Sequence, residues 1–470
     1  MRPVSRPLSA FAASAVALTV GAAGLAVSVP AAAHEAGQFG DLAFRQSLAG
    51  PAVPSQTSAR VKPVASVPGS TGISACFLQS RPLMVMSNLD SIKVLDVSTP
   101  TDPRVVGTLP SVQFENEAMT CGERRTKDGV RRFALIGVDL YQASPPPLES
   151  PQDLQHSSRP NVGGNELVVV HVTRPRSPRI LSRTPGLSST HTVACIDESD
   201  CRYAYSAGDS SDGAFSIFDL RRLGAPREID ADPTTAGVQP FTSPTAGHKW
   251  NFDEAGFGTH TGFDGASMWD VSRPRDPQLV TTTGAAGAGD DPRYPGWNDF
   301  ILHNSFRPNA DRFAPRTRPS VDDGNVLLVT EEDYEQTDCS KAGSFQTWRV
   351  RSLNGRADQI RPLDKVELSD LGTFPSPVGA FCSSHWFDFH RSGIVAVGFY
   401  GGGTQFLDVR DPRDIKSWGF AYGGTSEVWD SMWLPRYTDR GRQTGRETNL
   451  AYSIDAVRGL DVYRVALPRR

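Results

Sequence analysis

Beyond residue 33 the chain has no apolar run approaching the ~20 residues a bilayer-spanning helix requires, so a membrane-embedded body is not expected. Charge of one sign is also missing. The 48 Lys+Arg and 52 Asp+Glu give a net charge of -4, which leaves no electrostatic case for nucleic acid or an anionic membrane as partner. Long helical patterns are absent, while 43 Gly and 36 Pro punctuate the sequence, the composition of a turn-rich β protein. Catalytic signatures are lacking as well. There is no Gly-x-Ser-x-Gly elbow, no His-Glu-x-x-His, no phosphate-cradling Gly-x-x-x-x-Gly-Lys and no dinucleotide fingerprint. Gly401-Gly402-Gly403 is followed by no helix and reads as a tight turn. Asp209-Ser210-Ser211-Asp212-Gly213 lacks the rest of a calcium-ligand series. These absences leave open whether the protein is an enzyme.

What is present begins with an export signal. Arg2 and Arg6 precede an apolar stretch from about Phe11 to Val29, and Ala31-Ala32-Ala33 supplies small residues for cleavage before His34. The expected organisation is a signal peptide over 1–33, a flexible segment over 34–60 and one domain over 61–467, secreted to the extracellular space. Six cysteines in an exported chain suggest disulfides. Cys195 and Cys201 close a short loop. Cys339 with Cys382 and Cys76 with Cys121 then follow by elimination, although six cysteines allow other pairings. No close Cys-x-x-Cys pair supports a thiolate metal site.

The body repeats one phrase: a short apolar run ending in Asp-Val, a turn with two prolines, and another short run. Ile92-Lys93-Val94-Leu95-Asp96-Val97-Ser98 leads through Pro100 and Pro103 into Val105-Val106-Gly107-Thr108. Ser267-Met268-Trp269-Asp270-Val271-Ser272 leads through Pro274 and Pro277. Gln405-Phe406-Leu407-Asp408-Val409 leads through Pro412. A recurring supersecondary unit implies an array. Each unit holds four short strand candidates, here lettered a to d, over 72–110, 114–185, 188–229, 247–284, 297–369 and 382–423. A seventh begins at Glu427 and stops after its third strand, Gly459 to Val465. The missing strand matches Pro63-Val64-Ala65-Ser66-Val67-Pro68-Gly69 near the other end. The reading is all-β: a seven-bladed β-propeller closed by an N-terminal strand that completes the last blade. Insertions at 144–165 and 308–324 read as surface loops with little structure.

Leu167-Val168-Val169-Val170-His171-Val172 and the Asp-Val-Ser-x-Pro-x-x-Pro turns resemble the LVIVD repeat of secreted bacterial β-propellers. The resemblance spans nearly the whole mature chain. It implies architecture and no reaction. His171, Arg349 and Arg464 stand where the repeat has Asp, a carboxylate expected to accept backbone N–H bonds in the turn.

Chemistry is expected where equivalent positions converge. Aligned on the last apolar or Cys residue of strand a, Glu117 stands four before Cys121, His191 four before Cys195, His248 four before Phe252 and His385 four before Phe389. His303 takes the comparable place, and Gly72 and Trp429 take it in units one and seven. Strand a borders the central channel, and its start shares a face with the b–c connections. These carry Asp139, Asp209 with Asp212, Asp264, Glu331-Glu332-Asp333 and Asp455; His260 lies close enough to join. The predicted site is thus a channel mouth formed by Glu117, His191, His248, His303, His385, Asp209, Asp264 and Trp429. His191, His248, His303 and His385 are the candidate ligands of a divalent transition metal, the cofactor such a cluster would take. Recurrence blade by blade also fits a structural role, as in WD-repeat propellers. Trp429-Asp430-Ser431-Met432-Trp433 could stack on carbohydrate or pack between blades. The expected partner is a protein, glycan or small molecule bound by a non-catalytic scaffold. The alternative is a metal-dependent extracellular hydrolase or oxidoreductase at the same mouth.

Overall fold

The computed structural model describes residues 56–68, 72–88, 91–110, 119–138, 166–188, 190–208, 213–333, 336, 338–372, 382–424 and 426–469. The proposed signal peptide and the insertion at 144–165 lie outside them. Seven antiparallel sheets are arranged as the blades of a β-propeller, in the units anticipated from the repeat. Blade 1 is built from Gly72–Phe77, Leu83–Asn88, Ser91–Asp96 and Arg104–Pro110.

Burial within a blade explains the sequence pattern. Strand b of blade 1, Leu83–Asn88, is buried at every residue, whereas strand d, Arg104–Pro110, is largely exposed with Gly107 and Leu109 turned inward. Inner strands lie between neighbouring blades and so read as continuous apolar runs, while outer strands have one wet face and alternate. The cores are inter-blade: Leu83, Val85 and Ile92 of blade 1 pack with Ala134, Ile136 and Val168 of blade 2.

Closure is made as the sequence implied. Val61–Val67 pairs antiparallel with Gly459–Val465, Val61 opposite Val465 and Val67 opposite Leu460. The ring therefore leaves no open end blade to present an unpaired apolar face. Gln56–Thr57, inside the segment expected to be flexible, adds a fifth strand to blade 6 through Tyr422 and Ala421.

The repeat Asp has the turn role expected of it. Asp96, Asp270 and Asp408 accept the backbone N–H two residues on, from Ser98, Ser272 and Arg410, at 2.9, 2.9 and 3.1 Å. The turn prolines have a further use. Tyr452 of blade 7 donates to the Pro100 carbonyl of blade 1, Tyr205 of blade 3 to Pro274 of blade 4, and Thr347 of blade 5 to Pro412 of blade 6. Each such turn is a docking point for the preceding blade.

All three expected disulfides are present: Cys76–Cys121 between blades 1 and 2, Cys195–Cys201 across a hairpin of blade 3, and Cys339–Cys382 between blades 5 and 6. The 308–324 insertion is more ordered than expected. Val321 is buried, and the Asn325 side-chain amide donates to Ala314, Thr317 and Arg318, which replaces the strand bonds the loop forgoes.

Candidate functional site

A single backbone device aims the recurring residue at the axis. Strand a pairs with strand b through a register break between Gly247 and Lys249, between Leu302 and Asn304, and between Val428 and Asp430. The extra residue in each break is His248, His303 or Trp429. A bulge twists the strand and redirects one side chain. Blade 1 has the same break between Gly72 and Ser74, so its equivalent residue is Ile73 rather than Gly72. His191 stands one residue and His385 two residues before the paired part of its strand.

The imidazoles form a continuous arc. Ring centroids are 4.4 Å apart for His191 and His248, 4.2 Å for His248 and His303, and 4.0 Å for His303 and His385. The Trp429 indole follows 5.0 Å from His385. None of the four histidines is more than 4% exposed. They are therefore an internal group, packed ring against ring rather than exposed to solvent. The blades also hold one another's bulges in register: Thr192 donates to the His248 carbonyl, Thr261 to that of His303 at 2.8 Å, and His385 Nδ1 to that of Trp429 at 2.8 Å.

Glu332, from the acidic run at the end of strand b in blade 5, is a carboxylate that reaches the arc. Its oxygens lie 3.6 Å from His303 Nε2 and 3.9 Å from His385 Nε2, and Tyr400 donates its hydroxyl to it. His248, His303 and Glu332 each present a ligand atom, all within 4.8 Å of one another. A tetrahedral Zn²⁺ site places its donors about 3.3 Å apart. The His303–Glu332 pair, at 3.6 Å, is already near that separation.

The other expected members divide. Glu117, Asp139, Asp209 and Asp212 lie outside the described residues. Asp264 is exposed on its b–c turn, so the fold keeps it out of the arc. Asp455 caps the blade 7 turn, accepting the N–H groups of Glu427, Val457 and Arg458. Glu331 accepts the Asp299 N–H and the Ser344 hydroxyl, and burial pushes its carboxyl up to about 7. Both acids are structural. His260 sits inside blade 4 against Trp250, bonded through Nδ1 to Ser243 and held neutral by burial, its pKa down to about 3. Trp429 is 1% exposed and packs with Ile73 and Tyr400, so it serves the core.

Alternation along strand a also produces a feature that sequence reasoning missed. The side of the channel away from the imidazoles widens into a chamber of about 540 Å³, with Lys249, Asn251, Trp386, Asp388, Asp430 and Glu198 among its walls. The signal was a two-residue period counted from the bulge: Lys249 and Asn251 follow His248, as Trp386 and Asp388 follow His385. Lys249 Nζ lies over the Trp386 ring at 4.7 Å, and that ring is 4.2 Å from His303. The chamber floor therefore rests on the imidazole arc. Burial pushes the Asp388 carboxyl up to about 7, aided by Glu447 and Asp430 nearby. It pushes Asp430 up to about 6 against the pull of His385 and Lys249.

This geometry defines the protein as a seven-bladed β-propeller with a charged axial chamber above a buried His/Glu group. The β-propeller domain of Cps50 (Swd1) from Myceliophteria thermophila aligns with a TM-score of 0.51 at 10% identity, covering 86% of this chain and all of that domain. That likeness concerns the fold. No family model matches the sequence, and no curated protein matches it. Among the described residues no helix is long and apolar enough to cross a membrane.

Proposed function

We propose that the protein is an exported, non-catalytic propeller that binds a protein, glycan or small molecule along its axis, with the buried His/Glu group holding a divalent transition metal. The observation that carries this reading is the convergence of His248, His303 and Glu332 ligand atoms within 4.8 Å, since two imidazoles and a carboxylate suit Zn²⁺ and its neighbours. The metal would tie blades 4 and 5 together beneath the chamber and fix the Trp386 wall. Three disulfides are compatible with an oxidising compartment, as is the resemblance of the repeat to secreted LVIVD propellers.

Elemental analysis of protein purified without a His-tag tests it. About one equivalent of metal is expected, lost in a His248→Gln/His303→Gln/Glu332→Gln variant. Protein that carries no metal and takes up none of Zn²⁺, Mn²⁺ or Cu²⁺ by calorimetry would leave the arc a purely structural staple.

One observation favours a metal-dependent enzyme, a hydrolase or oxidoreductase, as a second reading. The chamber lies directly over the group and carries two carboxyls with raised pKa, an arrangement common at functional sites. Turnover that requires the metal and is lost in Asp430→Asn would favour it over binding alone.

A further inference from the structure

Arg349 stands at the repeat position where blades 1, 3, 4 and 6 have Asp, and like Arg464 of blade 7, which faces Lys62, it faces a cation across the sheet. In blades 1, 3 and 6 the repeat Asp faces a cation across strands c and d: Asp96 opposite Arg104, Asp219 opposite Arg227, and Asp408 opposite Lys416. In blade 5 Arg349 faces Arg361. Directly opposed like charges destabilise a sheet, where the ordinary pair supports it. Three more arginines converge on this pair: Arg293 from the segment leading into blade 5, Arg351 just past strand c, and Arg413 from the c–d turn of blade 6. The five line one pocket of about 330 Å³ together with Tyr294; among the described residues no carboxylate lines it, and Asp291 stands beside it against Arg293.

Two of the guanidinium groups are held in place. Asp291 accepts from Arg293 Nε and Nη2 at 3.0 and 2.7 Å. Arg349 Nη2 donates to the Pro315 and Thr317 carbonyls, both at 3.1 Å, while its buried Nε has no hydrogen-bond partner among the described residues. Neutral backbone oxygens orient Arg349 without cancelling its charge. We infer that this pocket is a binding site for a small phosphate- or sulfate-bearing ligand, whose tetrahedral oxyanion bridges Arg349 and Arg361 and relieves their repulsion. Guanidinium forks match such oxyanions two bonds at a time, and the pocket has room for one or two of them. The site lies apart from the channel axis and does not depend on a metal there.

The test is calorimetry and thermal unfolding of the full, disulfide-intact chain at low salt, with pyrophosphate and inorganic sulfate as probes. Saturable binding, a raised Tm and affinity that falls with added salt are expected. A preference for pyrophosphate would assign a phosphate ester, and the reverse a sulfate ester. Arg361→Gln keeps the Arg349 contacts to 315 and 317, so it should weaken binding at least tenfold while raising the Tm of ligand-free protein. A merely structural arginine would lower that Tm. Arg349→Asp restores the ordinary pair and should abolish binding. The proposal is overturned if neither anion binds, if both variants bind undiminished, or if Arg361→Gln lowers the ligand-free Tm. The His248/His303/Glu332 variant should bind both probes as the parent does.

Discussion

His385 donates from Nδ1 to the backbone carbonyl of Trp429, 2.8 Å away on the next blade. The bond requires a proton on Nδ1 and turns Nε2 toward Glu332 at 3.9 Å. It joins blade 6 to blade 7, the blade that the N-terminal strand completes, so one imidazole serves both the arc and ring closure.

His385→Ala should therefore destabilise the fold by about 2–4 kcal/mol, from a cavity beside Trp386 and Trp429 and a buried carbonyl deprived of its donor. Denaturant unfolding reads this. A change below about 0.5 kcal/mol, the scale of ordinary surface substitutions, would mean the bond is dispensable.

Asp388 sets a pH dependence whose sign follows from its raised pKa. The folded-state value of about 7 lies above that of an unfolded Asp, so the folded protein retains a proton that the unfolded chain has released. Its contribution is fully present below about pH 4 and is lost as pH rises through 7. Asp388→Asn should raise Tm at pH 8 and leave it nearly unchanged at pH 4, because the Asn oxygen can still accept the Trp433 N–H now bonded at 2.8 Å. Equal shifts at both pH values would contradict burial as the cause.

Ring closure through Val61–Val67 makes the two ends of the chain mutually dependent. Val61 is 2% exposed, opposite Val465 and packed with Trp433 and Phe406. Val61→Asp buries a carboxylate there and should cost about 3 kcal/mol or more. It should also release the edge of Gly459–Val465, which hydrogen exchange would detect as lost protection confined first to that strand.

The Cys76–Cys121 bond spans 45 residues and joins adjacent blades. Its removal in a Cys76→Ser/Cys121→Ser pair should lower stability by about 2–4 kcal/mol. The hairpin bond Cys195–Cys201, with a separation of 6, closes a much smaller loop and should matter less. Thermal unfolding of the two variants side by side gives the comparison, and the reverse order would refute the loop-length argument.

Blade number, blade boundaries and closure were legible because they depend on short-range patterning. Leu83 to Asn88 reads as a buried strand wherever it lies, and Asp96 with Pro100 reads as a turn from its own chemistry. The four histidines were found by alignment because each sits at or just before the start of strand a, His248 and His303 within a bulge there. Their burial was not legible, since it depends on rings from neighbouring blades meeting at 4.0–4.4 Å. Asp264 and Glu332 show the same limit. Both are b–c acids in sequence, yet one is exposed and the other faces two imidazoles.

The sequence by itself determined that this chain closes into seven repeated sheets, because alternation, turn chemistry and one missing strand are properties of neighbours along the chain. The tertiary structure alone decided what those sheets bring together: a buried His/Glu group, a chamber on its far side, and five arginines in one pocket on a protein of net charge -4. Net charge sums over the whole chain, whereas the local field depends on which distant residues the fold sets a few ångströms apart.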